Sequence, residues 1–321
     1  MPTSTREHAD TRPLLGAIRA VTYVVPDLDQ IEAAYVRLLG YRIVERSRVA
    51  QAQALAWGAP EAAQRRMLTL GPASGERVYL RFVEGMEARA WTALTSFGWN
   101  ATEFVVQDVD VLAERLAAGP FEIIGPPKPL SRFPMIRAMQ VLGPAGECCY
   151  FTQVGAGSGL ELAVARSFVG RVFIVVAAGP DADALFEPYA RFANKQDAPV
   201  ATAVHVISRA HGLPPETLHR HGLVRLPGGT LIELDQYPVT AGIRPTVSGA
   251  LAVGMAIVTF EVEDLDGWPL LAPAARCGLP SAEGRAGCLR GSAGELIELL
   301  EIGAGRLLGR SARSGSGHAR Q

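Results

Sequence analysis

The strongest constraint on this chain is that it repeats itself. Four segments follow one plan: an apolar strand, an Asp-x-Asp step, a helix, and later strands that end in a hairpin. AVTYVVPDLDQIEAAYVRLLGY opens the first, with a strand to Val25, Asp27 as helix cap, and Ile31, Ala34, Tyr35 and Leu38 at helical spacing. The second opens with ATEFVVQDVDVLAERLAAG and carries Asp108 and Asp110. The third, RVFIVVAAGPDADALFEPYARF, places a longer turn before Asp181 and Asp183, and the fourth, MAIVTFEVEDLDGWPLLAPAA, carries Asp264 and Asp266. Their closing strands are RVYLRFVEG, GECCYFTQVG, GGTLIELDQY and GELIELLEIG. Asp27 and Asp108 are separated by nearly the same length of chain as Asp181 and Asp264, which predicts two domains, each a consecutive pair of βαβββ modules. The expected organisation is a disordered tail over 1–13, a first domain over 14–154, a Gly/Ser-led linker over 155–168, a second domain over 169–303, and a disordered Gly/Ser/Arg-rich tail over 304–321.

Composition excludes several functions. The 321 residues are 48% hydrophobic and 20% charged, a balance that supports a sizeable core. A formal net charge of −1 offers no electrostatic footprint for nucleic acid or an anionic membrane. The polar start MPTSTREHADTRP lacks the apolar centre of a signal peptide, and no apolar run is long enough to span a bilayer, so a cytoplasmic protein is expected. Cys148, Cys149, Cys277 and Cys288 show no CxxC spacing and read as reduced thiols. The adjacent pair must face opposite ways in a strand. No dinucleotide, Walker or nucleophile-elbow motif is present. A small molecule is the expected partner, and a homodimer is compatible with the chain.

Alternation within LIEL puts Leu231, Glu233 and Asp235 on one strand face and Ile232 and Leu234 on the other. The strand-VVPDLD-helix opening and the final G-x-LIEL strand resemble the vicinal oxygen chelate superfamily, which includes glyoxalase I, the bleomycin-resistance proteins and the extradiol dioxygenases. The resemblance covers about Leu14 to Gly303 and implies an α+β fold in which paired βαβββ modules form a cupped mixed sheet. It also implies a metal on the concave face, held by a His six residues before the Pro of the opening step and by the Glu of the closing strand. In the first two modules those positions hold Ala20, Ala101, Arg81 and Tyr150, which cannot form that site. Glu103 shares the Ala101 face and adds a single carboxylate. In the last two modules Glu233 and Glu298 match, while Arg171 and Ile257 stand where histidines are expected.

Two chemistries follow for the expected C-terminal cup. In the first, no cofactor is used: Arg171 replaces the metal as a fixed cation between Glu233 and Glu298, binding a carboxylate or enolate while a glutamate acts as base. In the second, a divalent iron, manganese or zinc ion is held by rearranged ligands, His205, His221 and Glu233, as in an extradiol-like dioxygenase. His205, His211, His219 and His221 crowd the third module, and strand register decides which of them share the Glu233 face. His205 and His221 can also serve as acid or base. The expected substrate is an oxygenated, in one version aromatic, metabolite. A different class of function is sequestration of a ligand without turnover, as in bleomycin resistance.

Overall fold

The Asp of the repeated step caps the helix that follows it in three of the four modules. Asp27, Asp108 and Asp181 lie in extended backbone and accept hydrogen bonds from amides two or three residues on. These bonds satisfy donors that the first helical turn leaves unpaired. The fourth step departs from the expected plan. Asp264 accepts from the Asp266 amide, but no helix follows among the described residues, because Gly267 takes a left-handed φ of 79° and Pro269 has no amide hydrogen.

The computed structural model describes residues 14–85, 91–131, 133–155, 161–193, 195–280 and 282–303. Both expected tails, and residues 156–160 of the expected linker, lie outside the described residues. The first module comprises β1 (Ile18–Val25), α1 (Leu28–Ala34), β2 (Arg42–Arg48), α2 (Gln51–Ala56), β3 (Arg66–Gly71) and β4 (Tyr79–Glu84). The second comprises β5 (Gly98–Val106), α3 (Val109–Leu116), β6 (Glu122–Pro129), β7 (Ile136–Leu142) and β8 (Cys148–Val154). In the third, β9 (Val169–Gly179) and α4 (Ala182–Arg191) lead to β10 (Lys195–Ala203), α5 (His205–Ala210), β11 (Leu218–Leu226) and β12 (Thr230–Gln236). The fourth holds β13 (Gly254–Val262), the two-residue β14 (Ala275–Arg276), β15 (Arg285–Arg290) and β16 (Leu296–Glu301). No described helix is long and apolar enough to cross a membrane.

The strands form two curled mixed sheets of eight. The first sheet runs β14-β15-β16-β13-β1-β4-β3-β2, and the second runs β10-β11-β12-β9-β5-β8-β7-β6. Opening strands meet antiparallel at each centre, β1 against β13 and β5 against β9, and each closing strand lies parallel to its own opening strand. The modules are therefore paired first with fourth and second with third. This corrects the expectation that residues 14–154 and 169–303 each close a sheet. Equal spacing along the chain is satisfied by either pairing, so it could not discriminate between them.

What discriminates is the outer face of each sheet. The two outer faces bury against one another in one apolar core that includes Val21, Tyr23, Phe82, Phe104, Phe151 and Phe260. The first module meets the second, and the third meets the fourth, across this core rather than within a sheet. Tyr23 Oη and Thr102 Oγ1 are 2.5 Å apart, and Tyr35 Oη donates to Glu147 Oε1 at 2.8 Å. The third and fourth modules repeat the second contact, with Tyr189 Oη donating to Glu295 Oε1 at 2.6 Å. Each glutamate also accepts from the backbone amide two residues before it, at Ala145 or Ala293. Cys149 lies in this core while Cys148 faces the opposite side of the second sheet, and all four cysteines are free.

Burial pushes the Glu147 carboxyl up to about 7, against the hydrogen bonds it accepts. Its folded value thus exceeds the ordinary 4.5, so the associated stability is fully present below that value and is lost as pH rises through about 7. Unfolding free energies measured by urea denaturation across this interval are expected to fall with rising pH, by up to about 1.4 kcal/mol per pH unit for this one proton. Glu147→Gln is expected to flatten that part of the curve, and an unchanged slope would assign it to other groups.

Candidate functional site

The inner face of the first sheet is filled by its own chain. Trp57, following α2, packs there with Ala54, Met67, Ile257 and Cys288. In the middle stands a closed polar cluster. Arg81 Nη2 lies 2.5 Å from Glu298 Oε2, and Thr259 Oγ1 donates to the same oxygen at 2.5 Å. Trp57 Nε1 donates to Glu298 Oε1 at 2.6 Å, and Arg81 Nε donates to Thr22 Oγ1 at 2.8 Å. Arg81 is 0% exposed and Glu298 2%. Burial works to raise the Glu298 pKa, but the Arg81 charge and the bonds from Thr259, Trp57 and Arg81 outweigh it and hold the carboxyl below its ordinary range. Both carboxylate oxygens are satisfied by protein groups, so Glu298 is committed to internal bonding, while Arg81 Nη1 is buried without a hydrogen bond.

The inner face of the second sheet carries carboxylates with no such cation bonded to them among the described residues. Glu103 on β5, Glu233 on β12 and Asp235 on β12 share it, between an apolar cap around Ile174, Leu231 and Ala163 and another around Tyr150, Tyr237 and Ile207. Thr152 donates its hydroxyl to Glu103 Oε1. Burial first, then the charge of Glu233, pushes the Glu103 carboxyl to about 8. Burial also raises Glu233, partly offset by His221, and it raises Asp235 further because Asp235 faces and hydrogen-bonds Glu233. The two carboxyls titrate as a coupled pair, both raised by burial. Glu233 and His221 are 19% and 18% exposed at their side chains, so the cluster is reached from solvent on that side.

Strand register decides which expected residues meet. His221 pairs directly with Asp235, and Leu223 with Glu233, so His221 shares the carboxylate face. Its Nδ1 is 3.8 Å from Glu233 Oε1, and its Nε2 is 3.1 Å from Thr202 Oγ1. The other three histidines are held elsewhere. His205 begins α5 with its Nδ1 3.4 Å from Lys128 Nζ, so it is not in a ligand set with His221 and Glu233. His219 Nε2 lies 2.9 Å from Ser208 Oγ, and His211 contacts Thr240 Oγ1 and the Leu94 carbonyl.

Arg171 does not lie between Glu233 and Glu298, which stand in different sheets. Its Nε is 3.2 Å from Glu76 Oε1, and its Nη2 donates to the Gly228 carbonyl at 2.5 Å. The apparent long turn before Asp181 is strand, since β9 runs through Ala177 and Ala178 to Gly179. In the four modules Ala20, Ala101, Ile174 and Ile257 pair with Tyr79, Cys148, Leu231 and Leu296, each two residues before the closing position. The third opening position is therefore Ile174, not Arg171. Of the eight positions where this fold family places metal ligands, only Glu233 and Glu298 carry a ligating side chain, one per cup, so the family's ligand set does not fit. The cation expected beside a closing glutamate does exist, but it is Arg81, beside Glu298. Its signal was present as an arginine on a strand whose neighbours are apolar.

Arg81→Met is expected to destabilise the protein by about 3–5 kcal/mol, because it strands the Glu298 carboxylate without a counter-charge. Adding Glu298→Met to that variant is expected to recover much of the loss. Urea denaturation of the single and double variants measures both, and a single variant as stable as the parent would show that the pair is not coupled.

The architecture matches solved proteins at low identity. Glyoxalase I from Zea mays is 15% identical with a TM-score of 0.58, over 89% of this chain and 92% of that one. A candidate dioxygenase from Bacillus subtilis subsp. subtilis str. 168 is 14% identical with a TM-score of 0.59, over 91% of this chain and 87% of that one. No protein-family model matches the chain, and no curated protein does. Its two curled eight-stranded sheets share the glyoxalase-like fold of these solved proteins.

Proposed function

We propose that the chain is an enzyme that binds a small oxygenated metabolite in the cup of the second and third modules and transfers a proton there. The observation that carries this reading is that Glu103 shares one concave face with Glu233 and Asp235 and feels the charge of Glu233, with Thr152 fixing Glu103 and no arginine or lysine bonded to any of the three among the described residues. Carboxyls gathered in a water-poor site cannot all ionise together, so at neutral pH the set holds both a proton and a base. That combination suits removal of a proton beside a carbonyl and its return to a neighbouring carbon or oxygen.

The assignment of roles follows from position. Glu103 is the candidate proton-transfer group, because its hydrogen bond to Thr152 fixes one oxygen and leaves the other for a ligand. Glu233 and His221 form the accessible rim. Tyr150 and Tyr237 line the apolar end, where their rings suit a planar or carbonyl-bearing compound. The substrate class, compounds with adjacent oxygens or an enolisable carbonyl, is supported by the fold shared with glyoxalase I and a candidate dioxygenase. Glu298 and Arg171 take no part in this reading.

The test is exchange of carbon-bound hydrogen for deuterium in α-hydroxy ketones and α-keto acids incubated with the protein in D2O, followed by proton NMR. The expected outcome is exchange by the parent and a fall of about 10²–10⁴-fold in Glu103→Gln, with ligand binding retained. Binding without exchange in the parent, unaltered by Glu103→Gln, would instead identify a sequestering protein.

A further inference from the structure

The unused histidine at the rim of this cup leads to a second conclusion. Along β11 and β12 the pairing of His221 with Asp235 and of Leu223 with Glu233 brings one imidazole and two carboxylates onto the same face of one hairpin. The loop that joins the strands sets this register, with Gly228 and Gly229 both at positive φ, 72° and 68°, where a side chain is strained. Donor atoms of His221, Glu233 and Asp235 all lie within 4.8 Å of one another.

Two of those atoms have no partner. His221 Nδ1 and Asp235 Oδ1 are buried atoms without a hydrogen bond, and Asp235 is only 2% exposed. An orphaned buried carboxylate oxygen costs free energy unless something fills its coordination. His221 Nε2 lies against Thr202 Oγ1, a hydroxyl that can donate or accept, and its Nδ1 faces the carboxylates, 3.8 Å from Glu233 Oε1. Three lone-pair donors thus converge on one point that no described Lys or Arg occupies.

From this geometry we infer that His221, Glu233 and Asp235 bind a divalent first-row transition ion of the manganese, iron or zinc class. Imidazole with two carboxylates is a donor set suited to these ions, and donors about 2.0–2.2 Å from an ion are separated by less than 4.8 Å, so a small inward shift completes the site. The site differs from the family arrangement. Only Glu233 belongs to that arrangement; His221 and Asp235 move the ion one strand toward the sheet edge at β10. The partial exposure of Glu233 and His221 provides the entry path and leaves coordination positions free for a ligand oxygen. The inference rests on the same cup as the proposed function, but it needs no turnover to be tested.

The full-length protein, stripped by dialysis against a chelator, is titrated with Co²⁺ by visible absorbance and with Mn²⁺ and Zn²⁺ by calorimetry. One equivalent is expected to bind, with a melting temperature raised by the ion. His221→Ala and Asp235→Asn are each expected to weaken binding at least about tenfold, while His205→Ala, on the exposed start of α5, leaves it unchanged. Thermal melts of the ion-free variants establish that they fold, and the parent titration stands even if one of them does not. Absence of a stoichiometric site in the parent, or a site indifferent to both His221→Ala and Asp235→Asn, overturns the inference. Loss of hydrogen exchange in Glu103→Gln without any bound ion would retain the proposed function and reject only the metal. A bound ion with no exchange would do the reverse.

Discussion

Tyr35 and Tyr189 each reach out of a helix-bearing face to a buried carboxylate in the following module, and the rest of the architecture depends on that contact. Because a buried carboxylate needs its hydrogen bonds, Glu147 must meet Tyr35 and Glu295 must meet Tyr189. These pairs hold consecutive modules back to back, on opposite sides of the shared core. The first and second modules so placed cannot also share a sheet, and neither can the third and fourth. The opening strands then join across the two back-to-back pairs, β5 with the adjacent module's β9 and β1 with the distant β13.

That arrangement leaves two concave faces with opposite charge logic. In the first, Glu298 meets Arg81 because the first and fourth modules share a sheet, and the pair neutralises itself under Trp57. In the second, Glu233 lies beside Asp235 and shares its face with Glu103, and burial raises all three carboxyls with no arginine or lysine bonded to them among the described residues. The two closing LIEL strands therefore carry the same glutamate into different roles. One is an internal ion pair that maintains packing, and the other is part of a cluster whose charge calls for a proton, an ion or a ligand.

Local features of this fold were legible in the sequence, and features set by distant pairing were not. The caps at Asp27, Asp108 and Asp181 and the shared face of Glu233 and Asp235 depend only on neighbouring residues, and the periodicity displays them directly. The helix expected after Asp264 failed because Gly267 and Pro269 outweigh the repeat. The Arg171 assignment failed because Ala177, Ala178 and Gly179 extend β9, a segment whose small residues resemble a turn. His221 was narrowed to a candidate, but its face was decided by the Leu226 to Thr230 pairing beside the glycine loop. Strand alternation puts Asp235 on the Glu233 face, but the imidazole opposite it comes from β11, and Glu103 reads as solitary because the carboxylate whose charge it feels comes from the third module.

The joining of β1 to β13 also orders the chain in time. Residues Ile18–Val25 leave the ribosome early, yet the strand they pair with, Gly254–Val262, is made near the end. The second sheet needs only modules that follow one another, so it can close while synthesis continues. Until the fourth module arrives, β1 presents one unpaired edge, the kind of surface that invites pairing with another chain. The sheet that carries the internal ion pair is thus the last to close, and the one that carries the carboxylate cluster can be complete before it.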